Sequence, residues 1–173
     1  MGLFDFFKGN KDKSNDVQAN SGSDTIIQSP INGNKVSLSD ISDAAFSSGA
    51  LGQGLAIEPA EGKLYSPVNG TIVTLFPTGH AVGLKSDEGV EVLVHIGMDT
   101  VSLDGDGFTI HAQADQVVKQ GDLLVEFDID KIKEAGLEAV TPVVITNTND
   151  YSEVRDIASE TIEVGQDIIQ ISK

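Results

Sequence analysis

The chain has 173 residues and a mass of 18.2 kDa, 39% of them hydrophobic, which fits one domain with room for a tail. No apolar run approaches the ~18 residues a membrane-spanning helix needs. The zero Cys count excludes disulfide scaffolds, thiolate nucleophiles and Cys-ligated metal sites. Eleven Lys and Arg against 27 Asp and Glu leave a net charge of −16, a field that repels phosphate backbones and argues against nucleic-acid binding.

Residues 1–24 form a segment apart. Lys8, Lys11 and Lys13 against Asp5, Asp12, Asp16 and Asp24 make it nearly neutral at −1, so −15 resides on residues 25–173. From Gly9 to Asp24 the chain carries too little apolar surface to order itself, and a flexible linker is expected. Ahead of it stands Met1-Gly-Leu-Phe-Asp-Phe-Phe-Lys8, in which Leu3, Phe4 and Phe7 share one face of a short helix. Gly2 does not suit myristoylation, because Phe6 stands where that motif takes Ser or Thr. Two readings stay open for residues 1–8: a weak interfacial membrane anchor, or a terminus that frays or packs on the core as a strand.

From Thr25 onward strand-period patterns dominate. Asn32-Gly33, Asn69-Gly70, Asp104-Gly105, Asp106-Gly107 and Gly121-Asp122 punctuate short β-branched runs and read as turns. Strands are predicted at Lys35–Leu38, Thr71–Phe76, Ala81–Lys85, Val90–Ile96, Leu123–Phe127, Val143–Thr146 and Asp167–Ile171. A short helix is predicted at Asp130–Ala135, with Ile129, Ile132 and Leu137 apolar and Gly136 ending it. This is an all-β pattern, a sandwich or barrel with one or two helical turns.

Ser29-Pro-Ile-Asn-Gly-Asn-Lys-Val-Ser-Leu38 repeats as Ser66-Pro-Val-Asn-Gly-Thr-Ile-Val-Thr-Leu75, 37 residues on, with six of ten positions identical. Pro-x-Asn-Gly turn chemistry used twice would explain part of this; duplication of a β-motif explains more of it. A fainter echo joins Val117–Leu124 to Ile162–Ile169 and carries little weight.

Of the three histidines, His95 ends the apolar run Val92-Leu-Val and should be partly buried, which favours its neutral, nucleophilic form. A two-residue loop at Asp87-Glu88 would place His80 directly across from His95. A bulge at Gly89 would shift the register by one and send the two to opposite faces. His111 lacks such a partner and reads as a surface residue. Two imidazoles fall short of the three or four protein ligands zinc takes. They suffice for nucleophilic phosphoryl transfer, one ring attacking phosphorus and the other hydrogen-bonding the passing oxygens.

Gly89-Val-Glu-Val-Leu-Val-His95-Ile-Gly-Met-Asp-Thr-Val101 resembles, at every position, the phosphohistidine signature of the glucose-type enzyme IIA component of the bacterial phosphoenolpyruvate:sugar phosphotransferase system. Phe76-Pro-Thr78-Gly-His80 resembles that family's second histidine region, and Gly52-Gln-Gly54-Leu-Ala-Ile57-Glu-Pro59 its Gly-x-Gly-x-Ala-Ile-x-Pro stretch. The similarity runs from about Ile26 to Lys173. It implies an antiparallel β-sandwich with duplicated motifs and a phosphotransferase that needs no obligatory cofactor.

By the same resemblance His95 accepts phosphate on Nε2 from the histidine-containing phosphocarrier protein and passes it to a Cys of a transporter IIB domain. His80 stabilises the phosphoryl group, Thr78 orients His80, and the Gly97 carbonyl holds the His95 ring. Asp99 lies beside the site, where it orients a partner's cation. Phe46, Leu51, Phe76 and Leu93 are implied as an apolar docking rim. Ala44, Ala45 and Ala50 stand where the family's better-known members carry larger aliphatics, and Gln53 replaces an Asp.

Some members bind zinc through both histidines with a partner's carboxylate, so zinc on His80 and His95 is carried by the resemblance alone. A cytoplasmic location follows, peripheral at the inner membrane face if residues 1–8 bind lipid. The acidity then reads as a steering surface for a cationic partner.

The main rival is a zinc-dependent hydrolase of the same duplicated sandwich type. It would need a His-x-x-x-Asp and a His-x-His, which the sequence lacks. A lipoyl or biotinyl carrier would need a Lys at a hairpin tip, where Asp87-Glu88 stand.

Overall fold

The computed structural model describes residues 24–173. The linker, the 1–8 segment and the tail boundary at 24 therefore fall on residues outside it, Asp24 excepted. The strands in chain order are β1 (Thr25–Gln28), β2 (Gly33–Val36), β3 (Gln53–Pro59), β4 (Lys63–Tyr65), β5 (Gly70–Leu75), β6 (Ala81–Ser86) and β7 (Glu91–His95). They continue as β8 (Phe108–Ile110), β9 (Val117–Val118), β10 (Leu123–Phe127), β11 (Thr141–Ile145), β12 (Glu153–Asp156), β13 (Thr161–Ile162) and β14 (Asp167–Ser172). Two short helices, α1 (Ala44–Ser47) and α2 (Ile129–Glu134), complete the described elements together with three 3-10 turns.

An eight-stranded sheet runs β13-β2-β3-β11-β7-β6-β5-β9, beside three-stranded sheets β1-β14-β12 and β4-β10-β8. Every strand pair is antiparallel, as expected of this sandwich. Side chains alternate across a strand, so Val92 and Val94 of β7 turn into the main core with Leu55, Ile57, Val143 and Ile169. Glu91, Leu93 and His95 take the other face. There a second apolar cluster, including Ile41, Phe46, Met98 and Val144, is roofed by the 38–51 segment.

The predicted strands are present, Leu123–Phe127 with the expected bounds and the others displaced at their ends. Lys35–Leu38 sits two residues too late, because Leu38 opens a 3-10 turn (Leu38–Asp40). β3 was not among the predicted strands, because Gly52 and Gly54 interrupt its apolar run. Gly54 lies in extended backbone, and a Cβ there would stand 2.0 Å from the Val143 carbonyl. Asn32-Gly33 and Asn69-Gly70 are likewise not hairpin turns. Each glycine starts a strand and lies so close to the neighbouring one that a Cβ would meet a carbonyl oxygen at 2.1 Å.

The duplication is structural. Ser29 Oγ donates to the Ile31 carbonyl at 2.8 Å, and Ser66 Oγ donates to the Val68 carbonyl at 2.7 Å. Asn32 Oδ1 accepts from Val164 N at 2.7 Å, and Asn69 Oδ1 accepts from Gln120 N at 2.8 Å. Gly165 N and Gly121 N donate to the Ser29 and Ser66 carbonyls. Thus β1–β2 with β13–β14 matches β4–β5 with β9–β10. The faint echo is real but slipped by one: Val118 corresponds to Ile162 and Gly121 to Gly165, an offset of 44 where the sequence comparison suggested 45.

Candidate functional site

The β6–β7 hairpin carries the histidines. Its loop has three residues, not two: Ser86 N donates to the Val90 carbonyl at 2.8 Å, and Gly89 closes the turn at φ +95°. The register is therefore the bulged one, with Ala81 opposite His95. Strict alternation would part the imidazoles, yet their ring centroids lie 5.1 Å apart, edge to face. The expectation of opposite faces fails because His80 precedes β6. It follows Gly79, whose φ of +78° is open to glycine, and lies outside the strand's alternation.

His95 ends β7 half-buried, and its Nδ1 lies 2.8 Å from the Gly97 carbonyl. A carbonyl only accepts, so Nδ1 carries the proton of the neutral ring and Nε2 keeps its lone pair. Burial lowers the His95 pKa, while the Gly97 bond, Asp43 and Asp99 raise it in part; the net direction is down. Gly97 holds its carbonyl in place at φ +73°, where a Cβ would stand 2.6 Å from Thr100 Cγ2 and 2.8 Å from the Glu138 carbonyl. Thr100 Oγ1 in turn donates to the Ile96 carbonyl at 2.5 Å.

His80 is 4% exposed, and Thr78 Oγ1 hydrogen-bonds its Nδ1. Burial and then the nearby His95 lower its pKa. Both rings are therefore neutral near neutral pH.

The four rim residues divide. The Phe46 ring lies 5.3 Å from that of His95 and the Phe76 ring 5.0 Å from that of His80. Phe76 and Leu51 are exposed, and Leu93 shares the His95 face of β7. Phe46 is 4% exposed and belongs to the second apolar cluster, so it supports His95 from beneath instead of forming an open rim. Ala44, Ala45 and Ala50 are exposed, and the Gln53 backbone is tied to Thr148 Oγ1. Asp99 stands at φ +59° and acts on His95.

Asp43 also acts on His95 and was not singled out from the sequence. It caps α1 by accepting from Ala45 N at 2.8 Å, and its position ahead of Ala44-Ala-Phe46 carried a readable N-cap signal. His111 lies at the surface, as expected, 2.9 Å from Glu126. Among the described residues no cluster of three or more His, Cys, Asp or Glu is arranged to hold a metal. The donor set at the paired histidines is two imidazoles, short of the three protein ligands a hydrolytic zinc takes. Among the described residues no helix is long and apolar enough to cross a membrane.

Residues 25–151 match the family described as phosphoenolpyruvate-dependent sugar phosphotransferase system, EIIA 1. The chain is 49% identical over 147 residues to the PTS system beta-glucoside-specific EIIBCA component of Halalkalibacterium halodurans, covering 85% of this chain and 23% of that protein. It is 46% identical over 158 residues to the component of the same name in Dickeya chrysanthemi, covering 90% of this chain and 25% of the relative. The chain thus spans about a quarter of the length of these relatives. Glucose permease IIA from Mycoplasma capricolum superposes with a TM-score of 0.82 at 34% identity, over 86% of this chain and 96% of that one. None of these likenesses supports a zinc hydrolase. The chain belongs to the EIIA 1 family of the phosphoenolpyruvate-dependent sugar phosphotransferase system, the glucose-type IIA proteins.

Proposed function

We propose that His95 is the residue that carries the phosphoryl group, received from a histidine-containing phosphocarrier protein and passed to a Cys of a transporter IIB domain. The carrying observation is the Gly97 carbonyl at Nδ1, which leaves the Nε2 lone pair of a neutral ring free. That lone pair forms the new N–P bond while the donor's N–P bond breaks and its electrons return to the donor imidazole. Nδ1 keeps its proton, and the positive charge building on the ring is met by the Gly97 oxygen, Asp43 and Asp99.

Thr78, donating to Nδ1 of His80, leaves a proton on His80 Nε2 to hydrogen-bond the phosphoryl oxygens. The IIB partner is supported by relatives that carry B, C and A units in one component, and their names put β-glucoside systems first among the permeases to try. The absence of Cys fits an acceptor thiol on another chain. The net charge of −16 suits a cationic donor, and the setting is cytoplasmic, where a soluble phosphocarrier works. No cofactor is required; a zinc ion on His80 and His95 would complete its shell only with a partner's carboxylate.

The test is incubation with phosphoenolpyruvate, the system's first enzyme and its phosphocarrier. One acid-labile phosphate per chain is expected, and none on His95→Ala. Labelling that survives His95→Ala rejects the assignment.

A further inference from the structure

Beside the histidines, on the same outer face of the sheet, lies an apolar cleft of about 520 Å³, within the size range of ligand pockets. Val73, Phe76, Gly83 and Leu93 form its body, with Lys85 and Glu91 at one end. Val73 is the extra residue of a bulge in β5, between Ile72 and Thr74, and is 55% exposed. Bulges re-aim side chains; this one holds a branched apolar group out towards solvent beside Phe76, itself 42% exposed.

The chain holds a segment that matches the cleft. Leu3, Phe4, Phe6 and Phe7 include three of its seven Phe residues, an apolar run for an apolar cleft. The route is short. Asp24 shares a shallow depression with Glu88, at the tip of the hairpin whose strands floor the cleft. From Glu88 to Leu93 is five residues of near-extended chain, about 17 Å at strand rise. Residues 9–23 can span about 50 Å when extended. Tethering over such a distance replaces a bimolecular encounter with a high effective concentration, so weak apolar contacts suffice.

We propose that Leu3, Phe4, Phe6 and Phe7 of the chain's own N-terminal segment seat in the Val73–Phe76–Leu93 cleft beside His80 and His95. Occupancy does not depend on the phosphotransfer chemistry. Its consequence, which rests on the phosphocarrier reading, is that a partner must displace the segment to reach Phe76 and Leu93.

The absence of Cys makes a direct test clean: Gly2→Cys offers a single attachment point for a nitroxide. In the full ¹⁵N-labelled chain, the amides of Val73, Gly83 and Leu93 are expected to lose at least twice the intensity of the median amide. Phe4→Ser with Phe7→Ser should abolish that excess, and so should Val73→Asp, at a solvent-exposed site outside the core. Broadening that spreads evenly, centres elsewhere or survives the Ser variants overturns the proposal. So does broadening that persists when the nitroxide and the ¹⁵N label are on different molecules, which would place a second copy in the cleft.

Discussion

Nδ1 of His95 and the carbonyl of Gly97 stand 2.8 Å apart, and this one bond leaves the lone pair of the neutral imidazole on Nε2. The bond exists because Gly97 turns its peptide at φ +73°, a conformation that side chains strain against. Gly97→Ala would add a Cβ 2.6 Å from Thr100 Cγ2. We expect a loss of about 1–3 kcal/mol in stability, read by urea unfolding. Phosphate uptake should drop on the order of 10²-fold as the ring loses its anchor, with the nitrogen chemical shifts of His95 reporting a mixture of tautomers.

In the proposed mechanism His95, not His80, supplies the nucleophile, so His80→Gln should still be labelled at His95. What it should lose is onward transfer to the IIB domain, by about 10²–10³-fold, the usual cost of one donor to a developing oxyanion. Rapid-quench transfer from labelled protein separates the two steps. Equal loss in both would mean that His80 only supports the fold.

In the proposed mechanism Thr78 acts through His80. Thr78→Val removes the hydroxyl from a nearly buried imidazole and should slow onward transfer about ten-fold, while Thr78→Ser should restore it. A structural role for the threonine would instead lower the melting temperature of Thr78→Val and leave the transfer rate unchanged.

Burial lowers the pKa of both rings, and the neighbouring His95 lowers that of His80 further. Unfolded histidines take up protons near pH 6.5, the folded ones only at lower pH. Stability should therefore be level above about 6.5 and fall as the pH drops from there towards the folded values, because the unfolded chain binds more protons in that window. Proton NMR titration should place both inflections below 6.5. Asp43→Asn, which removes a charge that raises the His95 pKa, should move that inflection lower still.

The site was more legible than its framework. The residues around His95 stand in a short contiguous stretch, and the Thr78–His80 and His95–Gly97 contacts that the resemblance implied are present; the meeting of His80 with His95 was not readable from the hairpin. The hairpin register was not legible in the same way. Gly89 allows two loop lengths, and its positive φ selects the three-residue loop. β3 and the Asn-Gly strand starts were obscured for a related reason. Glycine marks a turn or a close approach of two backbones, and only the position of the neighbouring strand says which.

Composition, periodicity and the Ser-Pro-x-Asn-Gly repeat were enough to determine an acidic, all-β, duplicated chain with two histidines on one hairpin. These are properties of single strands and turns, where alternation and local chemistry rule. Tertiary structure alone brought Asp43 and Phe46 to His95 across some fifty residues, let the two imidazoles meet despite the register, and matched the repeat halves at an offset of 44. Such contacts depend on how sheets and the 38–51 segment stack, and no pattern within one element records the packing of another.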